Sequence, residues 1–239
     1  GLINLFAVGF GLPASAATPA ALEKPSGRFE LLASPGLRLY FLLTLLSYGA
    51  VMLYFSFFNV WLVERFDMTP VALAQAAVII SVPMMFGSWL AGRLARRMRQ
   101  VWIGVLGHAV MAIGMLAFIV PTQLLSLYLV MAIAGVGITI GELATSLGVS
   151  DRAPGSRQGE AMGLYRALAM ASELLAAGGG ALLIILGTQW VYIGASLLAL
   201  LCCTIFIHQG LIRRPEGNTA ELEVKLAARA DSKVMIYKD

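Results

Sequence analysis

The chain has 239 residues, of which 59% are hydrophobic and only 13% charged, and its mean hydropathy is +0.83. An ordinary soluble domain carries about 25% charged residues, so this composition excludes one. The 17 Lys and Arg residues outnumber the 13 Asp and Glu residues, which gives a formal net charge of +4. Because these basic residues are dispersed over several polar breaks, we predict contact with lipid headgroups and not with nucleic acid.

The first 36 residues precede any complete membrane span. Residues 1–12 are apolar but too short to cross a bilayer, so we predict that they are the end of a preceding transmembrane helix. A signal peptide is the alternative, although this stretch has no basic leader. Residues 13–36 are rich in Ala, Pro and Ser, which favours a cytoplasmic linker.

Six continuous apolar stretches follow, each long enough to cross a hydrocarbon core of about 30 Å as a helix. They run from Leu37 to Val63, Val71 to Leu94, Val101 to Val120, Leu124 to Val149, Gly159 to Leu186 and Gln189 to Ile212. Membrane strands would instead show alternating polarity. The predicted fold is therefore an all-α membrane protein, with a six-helix bundle over residues 37–213 and a cytoplasmic tail over residues 214–239.

The basic residues fix a predicted orientation. Arg93, Arg96 and Arg97 crowd the break after the second span, whereas Arg65 is the only basic residue at an odd-numbered break. Since Lys and Arg are concentrated in cytoplasmic loops, the even-numbered breaks are predicted to be cytoplasmic. We therefore expect a multi-pass protein of the plasma (inner) membrane with both ends in the cytoplasm.

The short turn at residues 121–123 divides the spans into three plus three. A repeat with an odd number of spans inverts its second copy, and inverted three-helix repeats are typical of secondary transporters. Small residues at helical spacing, Gly107 with Gly114 and Gly137 with Gly141, predict close helix packing in the third and fourth spans.

Three ionisable residues are predicted to share a depth in the bilayer. Glu142 and Arg166 lie about seven residues, or roughly 10 Å, from the cytoplasmic ends of their spans, and His108 lies at a similar depth. The pair either compensates its charges and locks two helices together or has a gating or coupling role. For His108 the alternatives are a hydrogen-bonded packing residue and a member of this group.

Glu173 lies near the bilayer midplane, about 14 residues into its span, where this chain offers no basic residue. Desolvation favours the protonated form of such a carboxyl group, which suits a proton carrier. We predict that Glu173 binds a proton or substrate, with an interhelical hydrogen bond as the alternative.

Polar residues of the first span share one side when plotted at about 100° per residue. This stripe contains Thr44, Ser47, Tyr48 and Asn59, and we expect it to face an aqueous cavity, with Gln75 adding a polar group from the second span. Aromatic residues of the same span are predicted to contact lipid or the interfacial belt. These are Tyr54, Phe57, Phe58 and Trp61.

Motifs of enzymes and of metal sites are absent from the sequence: it has no phosphate-binding loop, no HExxH, no GxSxG and no Cys or His cluster with the spacing of metal ligands. Two other patterns resemble a known family. Residues 88–97, SWLAGRLARR, resemble the cytoplasmic GxLADRxGRR loop of the major facilitator superfamily, although Gly92 replaces its Asp and Ser88 and Ala95 replace its glycines. Residues 157–164, RQGEAMGL, are similar to the start of that family's penultimate helix.

The resemblance implies the C-terminal half, meaning the last six helices, of a major facilitator transporter, most similar to proton-coupled exporters of drugs or metabolites. It implies a small-molecule substrate, a proton, a missing N-terminal six-helix half and a cytoplasmic gating loop with Arg93, Arg96 and Arg97. A proton-coupled importer of sugars or organic acids remains an alternative. A membrane scaffold or sensor that does not transport is another.

Overall fold

The computed structural model describes residues 30–212, and the segments predicted as a preceding helix end, most of the linker and the tail lie outside this range. The described part is helical, without strands. Its helices are α1 (Glu30–Ala33), α2 (Pro35–Ser56), α3 (Phe58–Phe66), α4 (Pro70–Ala95), α5 (Gln100–Ala117), α6 (Leu124–Arg152), α7 (Gln158–Ile184) and α8 (Thr188–Ile212), with a 3₁₀ turn at Gly155–Arg157.

Six helices or helix pairs in this range are long and apolar enough to cross a membrane. They coincide with the six predicted spans, and α2 with α3 forms the first of them. This confirms the predicted all-α membrane fold. Residues 30–33, predicted as part of the linker, form the short helix α1.

Local chemistry sets the helix boundaries. Proline occupies the first turn of α2 and of α4, where its missing N–H costs no hydrogen bond. At α4 the Thr69 hydroxyl also accepts a hydrogen bond from the Ala72 N–H at 3.3 Å. Between these helices α3 ends at Phe66, and the next residue, Asp67, adopts a left-handed φ of 49° and donates its N–H to the Val63 carbonyl.

The spans pack as two related triplets. α5 packs against α6 and α8, α4 packs mainly on α6, α7 packs mainly on α2, and α2 also contacts α6 and α8. When α2, α4 and α5 are matched in order with α6, α7 and α8, the contact of α4 with α6 corresponds to the contact of α7 with α2. The contact of α5 with α6 likewise corresponds to the contact of α8 with α2. The pattern of contacts is therefore that of a three-plus-three repeat.

Glycines bring the backbones of α5 and α6 together, as their spacing predicts. A Cβ atom at Gly107 would lie 2.8 Å from the Cα of Gly141, and one at Gly114 would lie 2.6 Å from the Cα of Ala134. Since lipid supplies no hydrophobic drive between helices, this close approach supplies the van der Waals contact that holds them.

A polar network ties four helices together near their predicted cytoplasmic ends. The Arg152 guanidinium lies 4.1 Å from the centre of the Tyr40 ring and donates hydrogen bonds to the Gln100 side chain and the Gly148 carbonyl. Tyr40 in turn donates to the side-chain oxygen of Gln209 at 2.9 Å. α2, α5, α6 and α8 are thereby fixed at one end of the bundle.

The aromatic residues of the first span form part of the core, so the prediction of lipid contact or an interfacial belt is wrong for three of them. Tyr54, Phe58 and Trp61 are 0%, 5% and 7% exposed, and they surround Phe118 and Tyr192. Edge-to-face and tilted ring contacts account for this cluster. Hydropathy alone does not distinguish a protein-facing ring from a lipid-facing one.

The predicted first span is interrupted at Phe57, between α2 and α3. The Phe57 carbonyl accepts two hydrogen bonds, one from the Trp61 N–H at 3.0 Å and one from the Tyr192 hydroxyl at 2.9 Å. The Tyr192 hydroxyl therefore supports the break from α8. The nearby Tyr54 hydroxyl is buried and makes no hydrogen bond within the described range.

Removing the hydroxyl group from each of these two tyrosines should affect stability differently. Tyr192→Phe removes a hydrogen bond and should destabilise the protein by about 0.5–1.5 kcal/mol, whereas Tyr54→Phe removes an unpartnered hydroxyl and should be neutral or stabilising. Thermal unfolding of both variants in detergent, followed by tryptophan fluorescence, measures the difference. An equal loss of stability in both would contradict this account of the break.

The glycine contact between α5 and α6 gives a second stability prediction. Gly107→Ala should destabilise by about 1–3 kcal/mol because the new methyl group overpacks the helix contact. Gly92→Ala is the matched control, since Gly92 lies in helix α4 and a Cβ there meets nothing within 4 Å. Unfolding in detergent should show no loss for Gly92→Ala, and an unchanged Gly107→Ala would disprove the tight contact.

Cysteine labelling tests the predicted orientation. Arg97→Cys and Thr122→Cys are made in a background carrying Cys202→Ala and Cys203→Ala, because both native cysteines are free thiols. An impermeant maleimide should label Thr122→Cys in intact cells and Arg97→Cys only after permeabilisation, since the basic break is expected inside. The cysteine-free background is the blank, and labelling of both positions from one side would refute the orientation.

Candidate functional site

A polar cavity of about 300 Å³ lies between four helices of the bundle. Residues of α2, α4, α6 and α7 line it, whereas α5 and α8 contribute nothing to its lining. Its lining residues are Tyr48, Ser88, Ala91, Thr139, Glu142, Leu143, Ser146, Met162, Tyr165 and Arg166. A volume near 300 Å³ is at the lower end of the range for small-molecule sites.

Glu142 and Arg166 line this cavity together, as their shared depth predicts. They do not form the direct ion pair that was one interpretation of the sequence: among the described residues, no carboxylate lies within 4 Å of the Arg166 guanidinium. The two side chains instead face the same space. The two groups are therefore available to a molecule between them.

Two tyrosines close one side of the cavity. The Tyr165 hydroxyl donates to the Tyr48 hydroxyl at 3.3 Å, and the two rings meet edge to face with centres 5.9 Å apart. The Arg166 guanidinium lies 5.8 Å from the centre of the Tyr165 ring. This stacking positions the cation beside the tyrosine pair.

His108 lies behind the cavity and does not line it. Its ring is fully buried, with Nδ1 donating to the Gly104 carbonyl at 2.8 Å and Nε2 lying 3.1 Å from the Ser47 hydroxyl. The ring also packs on Phe206, with centres 5.3 Å apart. These contacts are those of a hydrogen-bonded packing histidine that joins α5 to α2 and α8.

The residues of the polar stripe of the first span lie in different surroundings. Thr44 and Ser47 are fully buried, and Thr44 donates to the Tyr40 carbonyl at 2.7 Å. Asn59 is exposed on α3. Of the stripe predicted to face a cavity, only Tyr48 reaches it.

Two further predicted residues lie on outer surfaces of the bundle. Glu173 is on the exposed face of α7, between Met170 and Leu174, which are 70% and 78% exposed. Gln75 is exposed on α4 and lines an apolar groove of about 530 Å³ with Tyr128 and neighbouring aliphatic residues. Neither residue shares the cavity of Glu142.

A comparison with protein families assigns the chain. The family model described as Major Facilitator Superfamily matches residues 1–177 and residues 40–232. The chain belongs to the major facilitator superfamily. A comparison with curated proteins gives no match.

In this member of the superfamily, the basic loop predicted from the SWLAGRLARR pattern lies at the end of α4. Arg93, Arg96 and Arg97 are all exposed, and the Arg93 guanidinium lies 5.0 Å from the centre of the Trp89 ring. Ser88, which replaces the first glycine of the pattern, lines the cavity. The pattern therefore links the loop to the cavity along one helix.

The second pattern lies at the start of α7. Arg157 donates to both carboxylate oxygens of Glu160 at 2.9 and 3.1 Å and forms an ion pair with Glu30 of α1 at 3.4 Å. Farther along the same helix, Met162 and Tyr165 reach the cavity. Sequence reasoning did not single out Tyr165, although its place beside Arg166 is the one signal that was available.

Proposed function

We propose that this protein is a secondary active transporter that couples the export of a small molecule to a proton, and that the cavity around Glu142 binds the substrate. Membership of the major facilitator superfamily supports the transporter class. The observation that carries the site assignment is the cavity itself, where Glu142 and Arg166 face one space without pairing. Charged groups at this depth are costly unless they face a partner, water or a ligand.

Export is proposed as the direction because residues 157–164 resemble the corresponding stretch of proton-coupled exporters. Coupling to a proton is proposed because the spans contain carboxylates that change charge on protonation. Glu142 is the favoured site, since it shares the cavity with Arg166 and the two tyrosines. Glu173 stays the second candidate, on the exposed face of α7.

A second six-helix bundle is proposed to cover the face formed by α4 and α7. Only 17% of the most apolar stretch of α4 and 22% of that of α7 is buried, against 44–50% in the other four spans. Arg166 and Glu173 both lie on the exposed side of α7, where direct contact with lipid would be unfavourable. A protein wall on this face would also close the cavity, and without it we expect no transport by these 239 residues alone.

Substitution of the two carboxylates tests the proposal. In everted vesicles containing the full-length gene product, a pH gradient should drive uptake of at least one of ethidium, chloramphenicol and salicylate. Glu142→Gln should reduce this uptake by at least about tenfold, because it removes one charge-assisted interaction in the cavity. Asp151→Asn, which changes an exposed carboxylate on the same helix, is the matched control and should transport normally.

Three outcomes would contradict parts of this proposal. Full pH-dependent uptake by Glu142→Gln would exclude Glu142 as the coupling group. Loss of the pH dependence in Glu173→Gln with normal membrane insertion would place the coupling proton on the exposed face of α7 instead. Uptake driven only in right-side-out vesicles would reverse the direction.

A further inference from the structure

The serine and threonine hydroxyl groups that line the cavity already donate their hydrogens to backbone carbonyls of their own helices. Ser88 donates to the Met84 carbonyl at 3.0 Å, Thr139 to the Val136 carbonyl at 3.1 Å, and Ser146 to the Leu143 carbonyl at 3.0 Å. A carbonyl oxygen can only accept, so the direction of these three bonds is fixed. Each hydroxyl oxygen therefore presents only acceptor lone pairs to a molecule in the cavity.

The tyrosine pair adds one donor at most. A single hydrogen lies between the Tyr165 and Tyr48 hydroxyls, which leaves one other hydrogen free to reach the cavity. Glu142, when ionised, accepts hydrogen bonds through both oxygens and donates none. The lining of α2, α4 and α6 is therefore rich in acceptors and poor in donors.

The two charged groups of the cavity differ in how well they are satisfied. The Arg166 guanidinium lies over the face of the Tyr165 ring, which compensates part of its charge. Glu142 is half-buried and has no hydrogen bond or ion pair to its side chain within the described range. An unpartnered, half-buried carboxylate is the stronger attraction, because partial desolvation leaves its charge poorly compensated.

We propose that the cavity selects molecules with a protonated amine on an aromatic or apolar body, and that the ammonium group binds Glu142. The neighbouring hydroxyl oxygens would accept the remaining N–H groups, while Leu143, Met162 and the Tyr48–Tyr165 ring pair would contact the body. This inference rests on the proposed function, for which it names the substrate class.

At such a site an ammonium group and a proton compete for the Glu142 carboxylate. The titratable or charged groups that face Glu142 are Tyr48 from α2 and Tyr165 and Arg166 from α7, while α4 presents Ser88 and Ala91, which carry no charge. His108 of α5 does not line the cavity. Lowering the pH adds a proton to Glu142 and removes its charge, whereas an alkylamine stays protonated; the affinity for the amine should therefore fall with falling pH.

Three indole compounds that differ only in their side-chain head group test this selection. Binding of tryptamine, N-acetyltryptamine and 3-indolepropionate is measured by thermophoresis with the full-length gene product in lipid nanodiscs, in which the proposed second bundle also covers the cavity. Tryptamine should bind at least about tenfold more tightly than the two others, because only its ammonium forms a charge-assisted bond with a carboxylate. Its affinity should weaken as the pH is lowered, because a proton on Glu142 removes the charge that the ammonium group binds.

Glu142→Gln should bind tryptamine weakly and without this pH dependence, whereas Glu142→Asp should keep the preference and Asp151→Asn should match the unmodified protein. The thermal unfolding of each variant shows whether it is folded. Tighter binding of 3-indolepropionate that is lost in Arg166→Gln, equal affinity for all three compounds, or no binding of any would each overturn the inference. Coupled uptake of an anion in vesicles would then still support the proposed function, whereas selective tryptamine binding without coupled uptake would support the site alone.

Discussion

The close contact between the backbones of α5 and α6 determines how the rest of the bundle is arranged. Helices in lipid gain little from burying apolar surface against each other, so they associate where small residues permit close approach. Gly141 of α6 faces Gly107 of α5, and a Cβ at Gly107 would lie 2.8 Å from the Cα of Gly141, closer than van der Waals contact allows. Glu142 is one residue farther along α6 and hence about 100° around the helix, which directs it away from α5 and into the cavity.

The whole bundle is divided in the same way, into a side toward α5 and α8 and a side toward α4 and α7. The side toward α5 and α8 is closed by small residues, by the buried pair of His108 and Ser47 and by ring contacts to Phe206. The side toward α4 and α7 contains the groups that remain unpaired. Because unpaired charge is unfavourable in hydrocarbon, the exposed faces of α4 and α7 are where we propose a second protein wall. The packing that stabilises the bundle therefore also leaves open the side on which we propose that a ligand binds.

The sequence predicted the six spans well, because the length and hydropathy of a helix are local properties. The sequence predicted the site less completely, since what a side chain contacts depends on residues that are distant in the chain. Ser47 and His108 are 61 positions apart, and Tyr48 and Tyr165 are 117 apart. Thr44 and Tyr48 share a helical face by angle, yet one is covered by packing and the other lines the cavity. In the sequence Tyr54 and Trp61 likewise resemble lipid-facing residues, and only the fold brings the ring of Tyr192 beside them.

Recognition of the proposed ligand in this cavity has to come from a few groups. The serine and threonine hydroxyls that line it are bonded within their own helices, which satisfies them without a ligand and leaves them as weak acceptors. What remains to discriminate between molecules is the field between Glu142 and Arg166, in surroundings of low polarity where such a field is stronger than in water. In the proposed site a proton on Glu142 would remove its part of that field, so protonation and ligand choice would depend on the same side chain. Coupling would then require no second site, only that Glu142 be occupied by one cation at a time.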